Sequence, residues 1–194
     1  PGAQGEPGAQ GEPGAQGEPG PQGPAGPDEP VNGFDGGLII NGDFLSPNGG
    51  EWLTDVANNT QAEFIDISQV LKYFCVDNNL GSAETWSSNL NQVIPDLPSG
   101  AYNLSFHASS PDVAGALIRV GIANGDNPYI PVEYHDVQLS IEDQLHSVVV
   151  NVPSGGWGNN SQSSRVFFDF GGTNQNNEIW QSMKCVHSVS LTAV

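Results

Sequence analysis

Four histidines, His107, His135, His146 and His187, are the first candidates for proton transfer or metal ligation in this 194-residue chain. They lie 28, 11 and 41 residues apart, and no nucleophile elbow or helical metal motif accompanies them. Carboxylates are plentiful, 22 Asp and Glu against 4 Lys and Arg, so neighbouring pairs arise from composition alone. Glu142-Asp143 reads as a solvated turn, and Glu133 or Asp169 would serve as a glycosidase acid only with a partner about 5–9 Å away. Catalysis is the weakest reading. The two cysteines, Cys75 and Cys185, have no zinc-type spacing; they either form a disulfide or pack as two small buried thiols. Among the aromatic residues, Trp180 falls in a strand pattern and reads as core, whereas Trp157, in a Gly-rich loop, reads equally as loop anchor or ligand platform.

The formal charge of −18 narrows the partners. Four basic residues cannot neutralise a phosphate backbone or hold an anionic membrane surface, which excludes nucleic-acid binding and membrane docking as leading functions. No run of 18 apolar residues exists, so no helical span is expected. Six units of negative charge fall in residues 1–37 and twelve in 38–194, so the acidity is shared and reads as a solubility feature of an extracellular chain.

Two unlike segments would position any site. Glycine occupies every third position from Gly2 to Gly26, giving nine Gly-X-Y triplets over residues 1–28. Only glycine fits the axis of a triple helix, and Pro7, Pro13 and Pro19 at Y with Pro21, Pro24 and Pro27 at X pre-set the backbone. Composition alone would also allow a disordered linker, but the strict period favours a collagen-like stalk roughly 80 Å long, hence a homotrimer. Glu6, Glu12 and Glu18 meet no Lys or Arg there, so ion pairs do not set its register. The chain opens in mid-repeat without an initiator Met, which reads as a piece of something longer. Residues 29–37 read as a flexible joint.

Residues 38–194 show short alternating runs broken by turn clusters and no sustained 3.6-residue apolar period. Strands are expected at 38–44, 62–68, 70–77, 85–94, 101–109, 116–123, 137–141, 145–152, 165–170 and 179–192. Tyr102, Leu104, Phe106 and Ala108 share one face of their strand, and Ile118, Val120 and Ile122 oppose Arg119 and Gly121. This predicts an all-β, antiparallel β-sandwich jelly roll behind a collagen-like segment.

The stretches Leu38-Ile-Ile-Asn-Gly-Asp-Phe, Gly100-Ala-Tyr-Asn-Leu-Ser-Phe and Val189-Ser-Leu-Thr resemble the carbohydrate-binding modules of the family 4 and family 9 type. Arg119-Val-Gly-Ile, Asn-Pro-Tyr129, Phe168-Asp-Phe-Gly-Gly and Trp180 followed by Cys185 are similar to family 4 in particular. The resemblance spans 38–194 and implies a non-catalytic jelly roll with an open groove for one polysaccharide chain, commonly a β-glucan or a xylan. Position by position it implies groove roles for Trp52, Trp86, Arg119, Tyr129 and Asp169, with Asn89 and Asn91 on the strand of Trp86 added as candidates. The chemistry is coherent: aromatic rings stack on the apolar face of a sugar, and amides, carboxylates and guanidinium groups pair with its hydroxyls. A related cysteine pair joins the early and last strands in some members, which implies a Cys75–Cys185 disulfide. The family also implies a structural calcium, but Leu45 stands where a glutamate is usual and His187-Ser188 where acids are usual. No cofactor is therefore expected to be required, and a structural calcium on backbone carbonyls stays open.

The expected activity is glycan binding in adhesion or targeting, by a secreted or surface-displayed protein such as a viral or phage fibre, or an arm of a glycoside hydrolase. The alternative is a trimeric protein-binding head similar to the complement/tumour-necrosis-factor jelly rolls, which the 97–106 stretch resembles and the Asn-Gly-Asp-Phe opening does not. Sequons at Asn58, Asn103 and Asn159 add acceptors if the source glycosylates proteins.

Overall fold

A computed structural model of the chain describes residues 1–2, 36–46, 50–56, 61–68, 71–77, 88–125, 131–154, 163–171 and 182–194. The collagen-like repeat after Gly2 and most of the joint lie outside the described residues, as do Trp86, Tyr129, Trp157, Trp180, Asn58 and Asn159.

Among the described residues ten strands are present: β1 (Leu53–Val56), β2 (Gln61–Ser68), β3 (Leu71–Asp77), β4 (Ser88–Pro95), β5 (Gly100–Ser109), β6 (Leu117–Asn124), β7 (Pro131–Gln138), β8 (Gln144–Val152), β9 (Ser163–Asp169) and β10 (Met183–Ala193). They form two five-stranded sheets, one ordered β1-β4-β9-β6-β7 and the other β2-β3-β10-β5-β8, with every strand pair antiparallel. The chain passes repeatedly from one sheet to the other, so neither sheet can form without the other. Alternation decides the layers: Leu90, Ile118, Val120, Val166 and Phe168 of the first sheet face Phe74, Leu104, Phe106, Val186 and Leu191 of the second, all essentially inaccessible to water. Each such side chain contributes about 1.5–3 kcal/mol of transfer free energy, which makes this layer the main source of stability. Cys75 and Cys185 are directly opposite one another in the β3–β10 ladder and form a disulfide.

Residues 38–44, expected as a strand, form turns instead. Asn41 and Phe44 both have positive φ, which interrupts any extended run. The backbone there is satisfied without a ladder, because the buried side-chain amide of Gln92 accepts from Ile40 N at 2.9 Å and donates to Ile40 O at 2.7 Å. Gly36 and Gly37, expected as the end of the joint, are docked beside β10: Leu38 N donates to Leu191 O and Leu191 N to Gly36 O. Gly37 sits at φ 65°, and a Cβ there would collide with Leu191 O. The strand expected at 137–141 begins earlier and ends at Gln138.

Candidate functional site

The outward face of the first sheet collects the polar residues that alternation keeps out of the core. Register places Asp55, Asn89, Asp169, Arg119 and Asp136 in one row across β1, β4, β9, β6 and β7. The adjacent row holds Leu53, Asn91, Phe167, Gly121 and Tyr134. A third contains Val93, Arg165 and Ala123. The sheet thus brings together Asn89, Asn91, Arg119 and Asp169, four of the residues that the sequence singles out. Trp86 and Tyr129 lie outside the described residues.

Trp52 does not belong to this face. It is a core residue, 4% exposed, packed edge-on against Phe44 at 5.3 Å and tilted against Phe168 at 6.2 Å. Its indole Nε1 donates to Asn41 O at 2.9 Å, so its one polar atom is used internally. The turn geometry of 41–44 draws the ring inward, which its loop-like sequence context does not reveal.

Tyr134, by contrast, is an exposed aromatic on this face. It is 48% exposed, and the Arg119 guanidinium lies 4.1 Å from its ring centroid. Arg119 is itself clamped by Asp136, with Nε donating to Oδ1 at 2.7 Å and Nη2 to Oδ2 at 3.0 Å. That hydrogen bond is the main reason the Arg119 pKa is raised. One face of the Tyr134 ring is therefore backed by a fixed cation. Beside it, Gly121 leaves room for Phe167: a Cβ at Gly121 would meet Glu133 O and come within 3.0 Å of Phe167 Cζ.

On the other flank, Asn91 Nδ2 donates to Asn89 Oδ1 at 2.7 Å and to Leu53 O at 3.3 Å, while Arg165 Nη2 reaches Asn89 Oδ1 at 3.4 Å. Asn89, Asn91 and Asp169 are all less than 10% exposed, so this flank is pre-ordered. Asp169 lies between them and Arg119. Its burial pushes the carboxyl pKa up to about 6, against the pull of Arg165 and Arg119 in the opposite direction. A carboxyl in that range can accept from or donate to a hydroxyl near neutral pH.

Glu133 and Asp169 do not form a carboxylate pair, because they project from opposite faces of the sheet. Glu133 instead accepts from Asn151 N at 2.6 Å, and His135 Nε2 is 3.0 Å from Val149 O, which brackets β7 to the edge strand of the other sheet. Asn103, a sequon residue, is engaged with Ser105 and Ser147. Among the described residues no helix is long and apolar enough to cross a membrane.

At the positions where the family resemblance implies acidic calcium ligands, Leu45 has no side-chain oxygen, and His187 presents imidazole nitrogens already facing Asp143 and Ser188, whereas calcium takes oxygen ligands.

No protein-family model and no curated protein sequence matches the chain. Solved structures do. A CBM4 structure superposes with a TM-score of 0.59 at 19% identity, covering 80% of this chain and 99% of that one. The second N-terminal cellulose-binding domain from Cellulomonas fimi β-1,4-glucanase C gives 0.53 at 21% identity, covering 81% and 94%. The CBM22-1 xylan-binding domain from Paenibacillus barcinonensis Xyn10C gives 0.53 at 9% identity, covering 78% and 91%. The chain shares its two-sheet β fold with these structures. Identities this low establish the architecture and leave the ligand to be argued from the outward face of the first sheet.

Sequence reasoning missed Tyr134, Asp136, Phe167 and Arg165. Tyr134 and Asp136 alternate outward with Glu133 and His135, which are polar as well. The apolar alternation that marks a strand is therefore absent there.

Proposed function

We propose that this chain is a non-catalytic polysaccharide-binding module, taking a β-glucan or xylan-type chain across the outward face of its first sheet. The observation that carries this reading is the Arg119-backed Tyr134 ring on the same face as the ordered Asn89, Asn91 and Asp169 amide and carboxyl groups. A pyranose ring stacks on the tyrosine while its equatorial hydroxyls pair with the adjacent row. The cellulose- and xylan-binding neighbours in structure space support this choice of ligand class. Trp86 and Tyr129 are proposed as further groove aromatics.

The Gly-X-Y repeat is proposed to trimerise the chain, presenting three modules from one extracellular stalk for adhesion or targeting. With three modules tethered, the second and third contacts become intramolecular, and avidity rises about 100-fold or more over a single site. Affinity electrophoresis and titration calorimetry against soluble β-glucans and xylans test the binding. Retardation by at least one polymer, weakened by Tyr134→Ala, is expected; no retardation by any of them refutes the reading. Sedimentation of the full chain before and after bacterial collagenase tests the stalk, with a fall from trimer to monomer expected.

A further inference from the structure

The second sheet carries, on the face away from the proposed groove, a cluster that the glycan reading does not use. His187 and His107 are directly opposite in the β10–β5 ladder, with ring centroids 4.8 Å apart. Asp143, in the turn entering β8, brings Oδ2 to 3.0 Å from His107 Nδ1 and 3.1 Å from His187 Nε2. The ligand-type atoms of all three residues lie within 4.8 Å of one another. The geometry points to a binding site for a late first-row divalent cation, zinc in the first instance, held by His107 Nδ1, His187 Nε2 and Asp143 Oδ2.

Three features support the assignment. First, the two nitrogen–oxygen separations are close to the edge of a tetrahedron with metal–ligand bonds of about 2.0–2.1 Å, which is about 3.3–3.4 Å. Loading an ion requires the two rings to turn toward each other, because the cluster's widest separation must shorten to about that same edge. Second, His187 already has an outer partner. Its Nδ1 is 2.8 Å from Ser188 Oγ, and Ser188 is held at φ 50° where β10 shifts register against β5. A hydroxyl can donate or accept, so when the ion takes the Nε2 lone pair the imidazole proton resides on Nδ1 and is donated to Ser188 Oγ. No net proton need leave the neutral ring. Third, the site is half-open: His187 is 7% exposed, whereas His107 and Asp143 are 37% and 32% exposed, so an ion can enter from solvent and keep a water at its fourth corner.

Two imidazoles and one carboxylate select against calcium and magnesium, which prefer all-oxygen shells. The ion would join β5, β10 and the turn before β8 on the sheet remote from the groove, a structural role that leaves the polysaccharide surface open.

The test uses the untagged, disulfide-intact full chain after chelator treatment. Calorimetry with zinc chloride is expected to give one site per chain, and calcium chloride none. His107→Gln and Asp143→Asn should each weaken zinc binding by at least about tenfold, Ser188→Ala by about tenfold, and His135→Gln should leave it unchanged. Long-range proton–nitrogen spectra of the wild-type chain avoid reliance on variants that fail to fold: zinc should shift His107 Nδ1 and His187 Nε2 and spare His135 and His146. Absence of zinc binding, binding that survives His107→Gln with Asp143→Asn, or shifts confined to His135 or His146 would each overturn the proposal.

Discussion

Asp169 gives the sharpest energetic test of the first-sheet face. Burial raises its pKa from 3.8 to about 6, so between those values the folded chain holds a proton that the unfolded chain has released. Stability therefore falls as pH rises through this window and is flat on either side. The displacement corresponds to about 3 kcal/mol, fully incurred at pH 7 and absent at pH 3.5. Asp169→Asn keeps the shape of the side chain and removes the ionisation. Relative to wild type, the variant should thus gain about 3 kcal/mol between pH 3.5 and pH 7. Urea unfolding monitored by tryptophan fluorescence reads this directly. With a slope of about 2 kcal/mol per molar urea, the difference between the two midpoints should change by about 1.5 M across the range. His146 and His187, whose pKa values burial lowers, act with the opposite sign, losing stability as pH falls below about 6.5. They are present in both proteins and cancel in the comparison, as does the general relief of repulsion from the −18 charge. A midpoint difference that stays constant with pH would refute the raised pKa and the desolvated setting assigned to this carboxyl.

Other outcomes follow from the same face and its supports. Tyr134→Ala should leave the far-ultraviolet circular dichroism spectrum unchanged and weaken polysaccharide binding by about 1 kcal/mol, or roughly fivefold, in calorimetry. Gly121→Ala pushes a methyl group into Glu133 O and Phe167, and should cost about 1–3 kcal/mol in urea unfolding while also reducing glycan affinity. Replacing both Cys75 and Cys185 by serine reopens a 110-residue separation and should cost about 4–5 kcal/mol in the same assay, with glycan affinity retained in the molecules that remain folded.

The fold class was readable because strands such as β5 and β6 have one wholly apolar face. Tyr102, Leu104 and Phe106 alternate with Asn103, Ser105 and His107, and a period of two permits no helix. The 38–44 stretch misled for the converse reason. Its apolar content serves core packing through turns, and the distant Gln92 amide supplies the hydrogen bonds that a strand partner would have given. Arg119 and Asp169 were singled out through the family resemblance, with Asn89 and Asn91 added from the strand of Trp86, and the register brings these four to one face. Their neighbours were not: Phe167, Gly121 and Tyr134 share a row only through the register of β9, β6 and β7, and register is a tertiary property. Trp52 shows the limit from the other side, since a tryptophan next to a loop looks the same in sequence whether its ring turns outward or into the core.

The docking of Gly36 and Gly37 beside Leu191 also fixes how the molecule would carry mechanical load. Tension arriving along the preceding chain reaches the head next to β10, the strand that is central in its sheet and tied to β3 by the Cys75–Cys185 bond. The short strap from Gly36 to Phe44 would yield first, giving up its contacts with Leu191 and Val189 and then the Gln92 clasp on Ile40. Under such a load those few bonds would act as a fuse. They would lengthen the tether by a few residues under force while the sandwich behind them, covalently pinned across β3 and β10, keeps its outward face intact.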